Sequence, residues 1–311
     1  MANRGAHLPV QANYNYLPSN YLSMGTALQQ LVANPFYGTI STKYALGQPT
    51  IPRSALLNTF PQFSGASGLA TMADSIYHAG TLRVERRFTH GYGLLLSYTF
   101  AKLIDDTSGN GNAIFNDSGS EAVRDWGRLW LERSVSTQNE PHHLVISGSY
   151  EIPVGRTGPA FYRQVAGGWQ LNGIATLTSG QSIGVTQNSP AYGSVYPNLI
   201  GNPSLSNPSV TMWLNRAAFA DAPIFTLGNS PRNLPRTRTD SWKGLDLSLM
   251  KNFAILDRYR LQFRAEAFNF TNTPVFGNPA TNIDASNFGT VTSLATNNNP
   301  RSIQLALKLY F

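Results

Sequence analysis

Alternation is the feature that most limits what this chain can become. Ile76, His78, Gly80, Leu82, Val84, Arg86 and Phe88 interleave with Tyr77, Ala79, Thr81, Arg83, Glu85 and Arg87. After Thr89-His90-Gly91 the pattern resumes, with Tyr92, Leu94, Leu96, Tyr98 and Phe100 on one side. Successive side chains of a strand point to opposite faces, so two such runs across a short glycine turn predict a hairpin with one apolar face. The device recurs at 144–152, 169–178, 245–253, 260–268 and 302–311. That makes about seven strands of roughly ten residues, the length that crosses a bilayer at a tilt.

The connections add a second constraint. Those at 89–91, 155–168 and 255–258, the last turning at Leu256-Asp257-Arg258, are short; those at 103–141, 180–241 and 270–301 are long. Short and long alternate strictly, as in transmembrane barrels, where one rim carries tight turns and the other long loops. In a compact soluble domain, structureless loops of that length count against the strand assignment. Residues 1–75, with NYNYLPSNYL, NPFYG, LGQPTIPRS and FPQFSG, read as a loop-rich external segment, and 76–311 as the barrel strands with their loops.

Placing Phe311 at the periplasmic rim sends every long loop outside. Arg86 and Lys251 then interrupt the lipid face near the lower rim, where long cationic side chains are expected to snorkel to headgroups. Phe88, Tyr92, Trp169, Phe253 and Tyr259 fall near that rim and Tyr98, Phe100 and Trp242 near the other, as two aromatic girdles. Arg83, Glu85, Arg87, Arg264 and Glu266 fall on the opposite, lumen-lining face. The competing architecture is a soluble β-sandwich, an adhesin or carbohydrate-binding module, with the apolar faces packed together. Its polar faces would carry the same charges in solvent.

Composition narrows the function classes. No apolar run approaches the ~20 residues of a spanning helix. There is no cysteine, which excludes disulfide staples and thiolate metal sites. The net charge is +7. The cations are scattered, though, with Arg83, Arg86 and Arg87 the one tight group, so nucleic acid is not an expected partner. MANRGAHLPV lacks the charged and apolar regions of a secretory signal.

Catalytic signals are weak, and no enzyme activity or cofactor is expected. Asp105-Asp106 lacks calcium-loop spacing and reads as solvated loop. His142-His143 lacks a metal-binding spacing and reads as rim. Ser108-Gly109-Asn110-Gly111-Asn112 lacks the Lys-Ser/Thr of a phosphate loop. There is no G-x-S-x-G elbow. Trp126 and Trp130 in DWGRLWLERS suit a short helix or a sugar-stacking surface, with an external loop packed on itself as the simpler reading.

Taken in order, LRVERRFTHGYGLLLSYTFAKLIDD, HHLVISGSYEIPVG, GGWQLNGIATLTSGQ, LDLSLMKNF, LQFRAEAFNFTNTPVFGNP and LALKLYF resemble the Oar-like, carboxypeptidase-regulatory-like TonB-dependent outer-membrane receptors. NPFYG and FPQFSG are similar to that family's external-loop motifs. The resemblance implies a barrel of about twenty-two strands around a plug, of which this chain is the C-terminal part. The plug and the N-terminal domain are not in this sequence. Leu307, Leu309 and Phe311 match the family's terminal signal for the barrel-assembly machinery. The implied partners are that machinery, outer-membrane lipid, the remaining barrel strands, and the TonB system acting through the plug. The implied location is the outer membrane of a Gram-negative bacterium, and the implied role is energy-coupled uptake.

Overall fold

The computed structural model describes residues 2–106, 123–188, 192–256, 259–296 and 298–311. Eight long strands dominate it: β1 (Ala2–Asn13), β2 (Ser67–Thr89), β3 (Tyr92–Asp105), β4 (His142–Glu151), β5 (Trp169–Thr178), β6 (Trp242–Leu256), β7 (Tyr259–Phe268) and β8 (Ser302–Tyr310). They form one sheet in chain order, every neighbour antiparallel. The two-residue strand Ser134–Val135 adds to the upper end of β3. Among the described residues β1 and β8 do not pair with each other, so the sheet is not closed.

The register keeps the two faces separate across the whole sheet. Tyr92, Tyr150, Leu171, Leu249, Ala265 and Leu305 form one transverse row. The adjacent row is Gly93, Ser149, Asn172, Ser248, Glu266 and Gln304. A slip of one residue in any strand would move its leucines to the polar side, so the alternation itself pins the register.

Connection lengths alternate as the sequence implied. His90-Gly91 joins β2 to β3 with φ of 54° and 85°, the left-handed pair that a tight two-residue hairpin requires and that glycine adopts without strain. The turn expected at Asp257-Arg258 lies outside the described residues, as does the glycine-rich run at 108–112. The long loops 14–66, 106–141, 179–241 and 269–301 all leave the other rim.

Two regions differ from expectation. Ala2–Asn13 and the first third of β2 are strand, although both fall in the segment read as loop. β1 lacks clean alternation because it is bulged between Gly5 and Pro9, with His7 at φ 57°. Ser67–Ser75 is mostly small residues, and its two large apolar ones, Leu69 and Met72, are three apart and so fall on opposite faces, leaving no stripe to read. Secondly, the 152–168 connection is no simple turn, since it contains a helix over Ala160–Ala166. That helix is too short for its periodicity to stand out. No helix of the described residues is long and apolar enough to cross a membrane.

The enclosed core is not under the sheet. Ile183, Val185, Leu214, Ala218, Phe219, Leu234 and Ile283 pack together, with Trp213 and Phe288 against them, and all belong to the long loops. The apolar face of the sheet is uncovered, with Leu305 and Leu307 at 68% and 69% exposure. A soluble sandwich would have buried that face.

Candidate functional site

The polar face lines a concavity of about 500 Å³. Glu85 of β2 and Glu266 of β7 both border it, although four strands lie between them in the sheet, together with Ser147, Asn172, Asp246 and Ser248. The sheet therefore curls with its polar face inward and its leucines outward. Of the residues expected to line a lumen, Arg83 pairs with Glu85 at 2.9 Å and Arg264 with Glu266 at 3.3 Å, each couple two residues apart on one strand. Arg87 sits in the irregular turn end of β2 and is exposed.

Three inward groups are buried without a hydrogen-bond partner among the described residues: Asn172 Nδ2, Ser248 Oγ and Arg264 Nε. Asn172 and Ser248 face each other in the register. Sequence reasoning missed both, because Asn and Ser in a strand carry no signal until the register sets them beside charged neighbours. Buried polar groups are normally satisfied, so these three are departures from the common pattern.

At the long-loop rim the loops knit into a single cap. Ser54 Oγ donates to the Tyr192 hydroxyl at 2.9 Å, and Ser19 Oγ donates to the Asp125 carboxylate, to which Arg128 Nε also donates at 2.9 Å. Asn188 N–H donates to Asp284 Oδ2 at 2.6 Å, joining the last two loops. The centre of the stitching is Arg232, 1% exposed, whose guanidinium donates to the Asp105 carboxylate and, at 3.1 Å, to the Glu132 carbonyl. Glu132, fully buried, receives the Arg124 backbone N–H at 2.8 Å, and the Arg124 guanidinium lies 3.9 Å over the Tyr196 ring. Burial pushes the Glu132 carboxyl up from its usual range, with Arg124 opposing.

Asp105 and Asp106 are not solvated loop, as their loop position suggested. Each is 6% exposed. Asp105 meets Arg232, and Asp106 accepts the Asp74 backbone N–H at 2.9 Å. Burial, with the Asp74 and Asp105 carboxylates nearby, pushes the Asp106 carboxyl up to about 6. The cap's charges lie scattered through the sequence, so nothing local announced their convergence.

The remaining candidates fall on the rims. His142 Nδ1 lies 2.7 Å from the Tyr98 hydroxyl on the apolar face, with Phe100 beside it, while His143 Nδ1 lies 2.9 Å from the Thr178 hydroxyl on the other face. Among the described residues no three His, Asp or Glu side chains converge as a metal site would need. Trp126–Glu132 is a short 3₁₀ segment with Trp130 exposed. Arg86 stacks its guanidinium 3.8 Å over Tyr92 at the short-turn rim. Lys251 does not snorkel. It is 2% exposed and donates to the carbonyls of Val165, at 2.8 Å, and Gly167. Leu307 and Leu309 stand on the exposed apolar face of β8, with Phe311 beyond its last residue.

A family model described as an outer membrane beta barrel domain matches residues 1–304. No curated protein and no solved structure matches the chain.

Proposed function

The chain belongs to the outer membrane beta barrel domain family and resides in the outer membrane, and from that premise we propose that it is part of the wall and loop cap of a TonB-dependent receptor of the Oar-like kind. In this reading the sheet is the C-terminal arc of a larger barrel with the short-turn rim toward the periplasm. The cap meets the substrate outside, and a plug inside the barrel admits it when TonB pulls.

Three features support the proposal. The motifs quoted above occur in the order that the receptor resemblance requires. The edges of the sheet call for further strands, since from Gly80 to Thr89 β2 pairs only with β3 among the described residues. Backbone groups without partners at membrane depth cost several kcal/mol each, so an arc is stable in lipid only when its edges are continued.

The third feature is the polar inner face, on which Glu85, Ser147, Asn172, Asp246, Ser248 and Glu266 border one concavity, and it carries the proposal. A plug surface in the lumen would pack against this face, with the Arg83–Glu85 and Arg264–Glu266 pairs to grip it or to line the substrate's path. The test is a photo-reactive residue in place of Ser248 in the receptor as made in cells. A cross-link to a plug polypeptide is expected, with a yield that changes when TonB is removed. A barrel that cross-links to no plug contradicts the reading.

A further inference from the structure

We propose that the helix Ala160–Ala166 is a membrane-interface anchor, which lies on the outside of the wall at the short-turn rim and seats Phe161, Tyr162 and Val165 among the phospholipids of that leaflet. The inference rests on the lipid-facing wall and holds whatever the barrel carries.

The position of the helix follows from what its end touches. Lys251 shares the apolar face with Leu247, Leu249 and Phe253, and stands directly opposite Trp169 in the register. Its ammonium donates to the carbonyls of Val165 and Gly167. The Trp169 indole N–H donates to the same Val165 carbonyl at 3.2 Å. The helix C-terminus is thus pinned to the lipid side of the wall, not to the lumen. Its last carbonyls, which lack partners within the helix, face a cation that suits the negative end of the helix dipole. The neck is fixed as well: Ile152 N–H donates to the Trp169 carbonyl at 2.9 Å, and Gly155, at φ 72°, packs so close to Gly167 that any Cβ there would overlap its backbone.

The chemistry of the surface selects the occupant. Phe161, Tyr162 and Val165 are 79%, 48% and 51% exposed. At about 100° per residue they fall within roughly a quarter of the helix surface, with Arg163 on the far side and Gln164 at the flank beside Phe161. The helix end that carries Val165 is held on the same side of the sheet as the leucines, the side that in an outer-membrane barrel meets acyl chains. Rings at the level of the headgroups, backed by cations for phosphate, are the composition of an interfacial helix. Arg163 supplies the cation; Arg156, exposed in the same excursion, is already paired with Glu151 at 3.5 Å. The helix also explains a lysine on a lipid face: without the two carbonyls its ammonium would meet hydrocarbon, whereas here it is covered and flanked by the Trp169 and Phe253 rings at 5.3 and 4.9 Å.

The chain's lack of cysteine makes the test direct. Phe161→Cys and Arg163→Cys are each labelled with an environment-sensitive fluorophore in the folded protein, reconstituted in vesicles of zwitterionic and anionic phospholipid. The label at position 161 is expected to be quenched several-fold more by lipids carrying a headgroup-level quencher than by aqueous iodide, and the label at 163 to show the reverse preference. Lys251→Met is expected to release the helix, so that the label at 161 becomes iodide-accessible while the barrel stays folded by its electrophoretic heat-shift. Equal iodide access at both positions in the parent protein would overturn the proposal. So would protection of 161 from iodide without quenching by lipid, the signature of a protein partner on this face.

Discussion

The wall and the cap bury their apolar side chains in opposite senses. In the cap, Ile183, Val185, Leu214 and Leu234 are 0–4% exposed, and the charges that join the loops are buried with them. In the wall, Ile303, Leu305, Leu307 and Leu309 are 52–69% exposed and the charges face a concavity. Burying each such side chain is worth roughly 1.5–3 kcal/mol. The cap collects this by packing its own loops together. The wall collects it only when something apolar covers the sheet, and the bilayer is what covers an outer-membrane barrel. One chain thus holds a part that needs lipid and a part that folds as a water-soluble protein does.

The comparison can be broken first at the cap. Arg232→Met leaves the Asp105 carboxylate buried without its cation, a change that typically costs about 3–5 kcal/mol. The expected outcome is rapid proteolysis of the 179–241 loop in membrane-embedded protein, with the strands still protected. Equal loss of strands and loops would show that the two regions do not fold by separate rules.

The wall is tested by a matched pair of neighbours. Leu96 lies mid-strand on the apolar face, between Val84 and Ile146, and Ser97 lies on the polar face, between Arg83 and Val145. Leu96→Arg is expected to destabilise folding into bilayers by about 2–4 kcal/mol, and Ser97→Arg by much less. Denaturant titration in lipid vesicles measures both. Equal penalties would contradict the assignment of faces.

A smaller effect sharpens the picture of the cap. The Asp106 carboxyl titrates near 6 in the folded protein, against an ordinary 3.8. The folded state therefore holds the proton more tightly, and the stability this contributes is present below 3.8 and lost as pH rises through about 6. Asp106→Asn keeps an oxygen for the Asp74 N–H and removes the charge. It is expected to stabilise the cap at pH 7 by on the order of 1 kcal/mol and to flatten the dependence between pH 4 and 6. Thermal melts of the cap across that range provide the check.

How legible each region was in the sequence follows from the same contrast. Strands β3 through β8, and β2 from Ile76 onward, announced themselves because a two-residue period is local, and the alternation of tight turns with long loops placed the rims. The register then matched Leu82 with Tyr98 and Leu249 with Ala265, as faces of one kind must meet. β1 stayed hidden because its bulge at His7 breaks the period. The helix over Ala160–Ala166 stayed hidden because its partner, Lys251, is more than eighty residues away. For the same reason the cap was opaque: Arg232 and Asp105 are separated by 127 positions, and no pattern in either neighbourhood foretells their meeting. Alternation alone set Glu85 and Glu266 on one face; that they and Asn172 and Ser248 border the same concavity emerged only with the register.

The central claim is that the leucine face meets lipid while its sequence neighbours meet water. Spin labels placed singly at each position from Ile303 to Leu309, in the protein assembled in outer-membrane lipid, measure this directly through their relative relaxation by oxygen and by an aqueous nickel chelate. The account predicts a period of two, with Ile303, Leu305, Leu307 and Leu309 favouring oxygen and Gln304, Ala306 and Lys308 favouring the chelate. A flat profile, or the opposite phase, would contradict it.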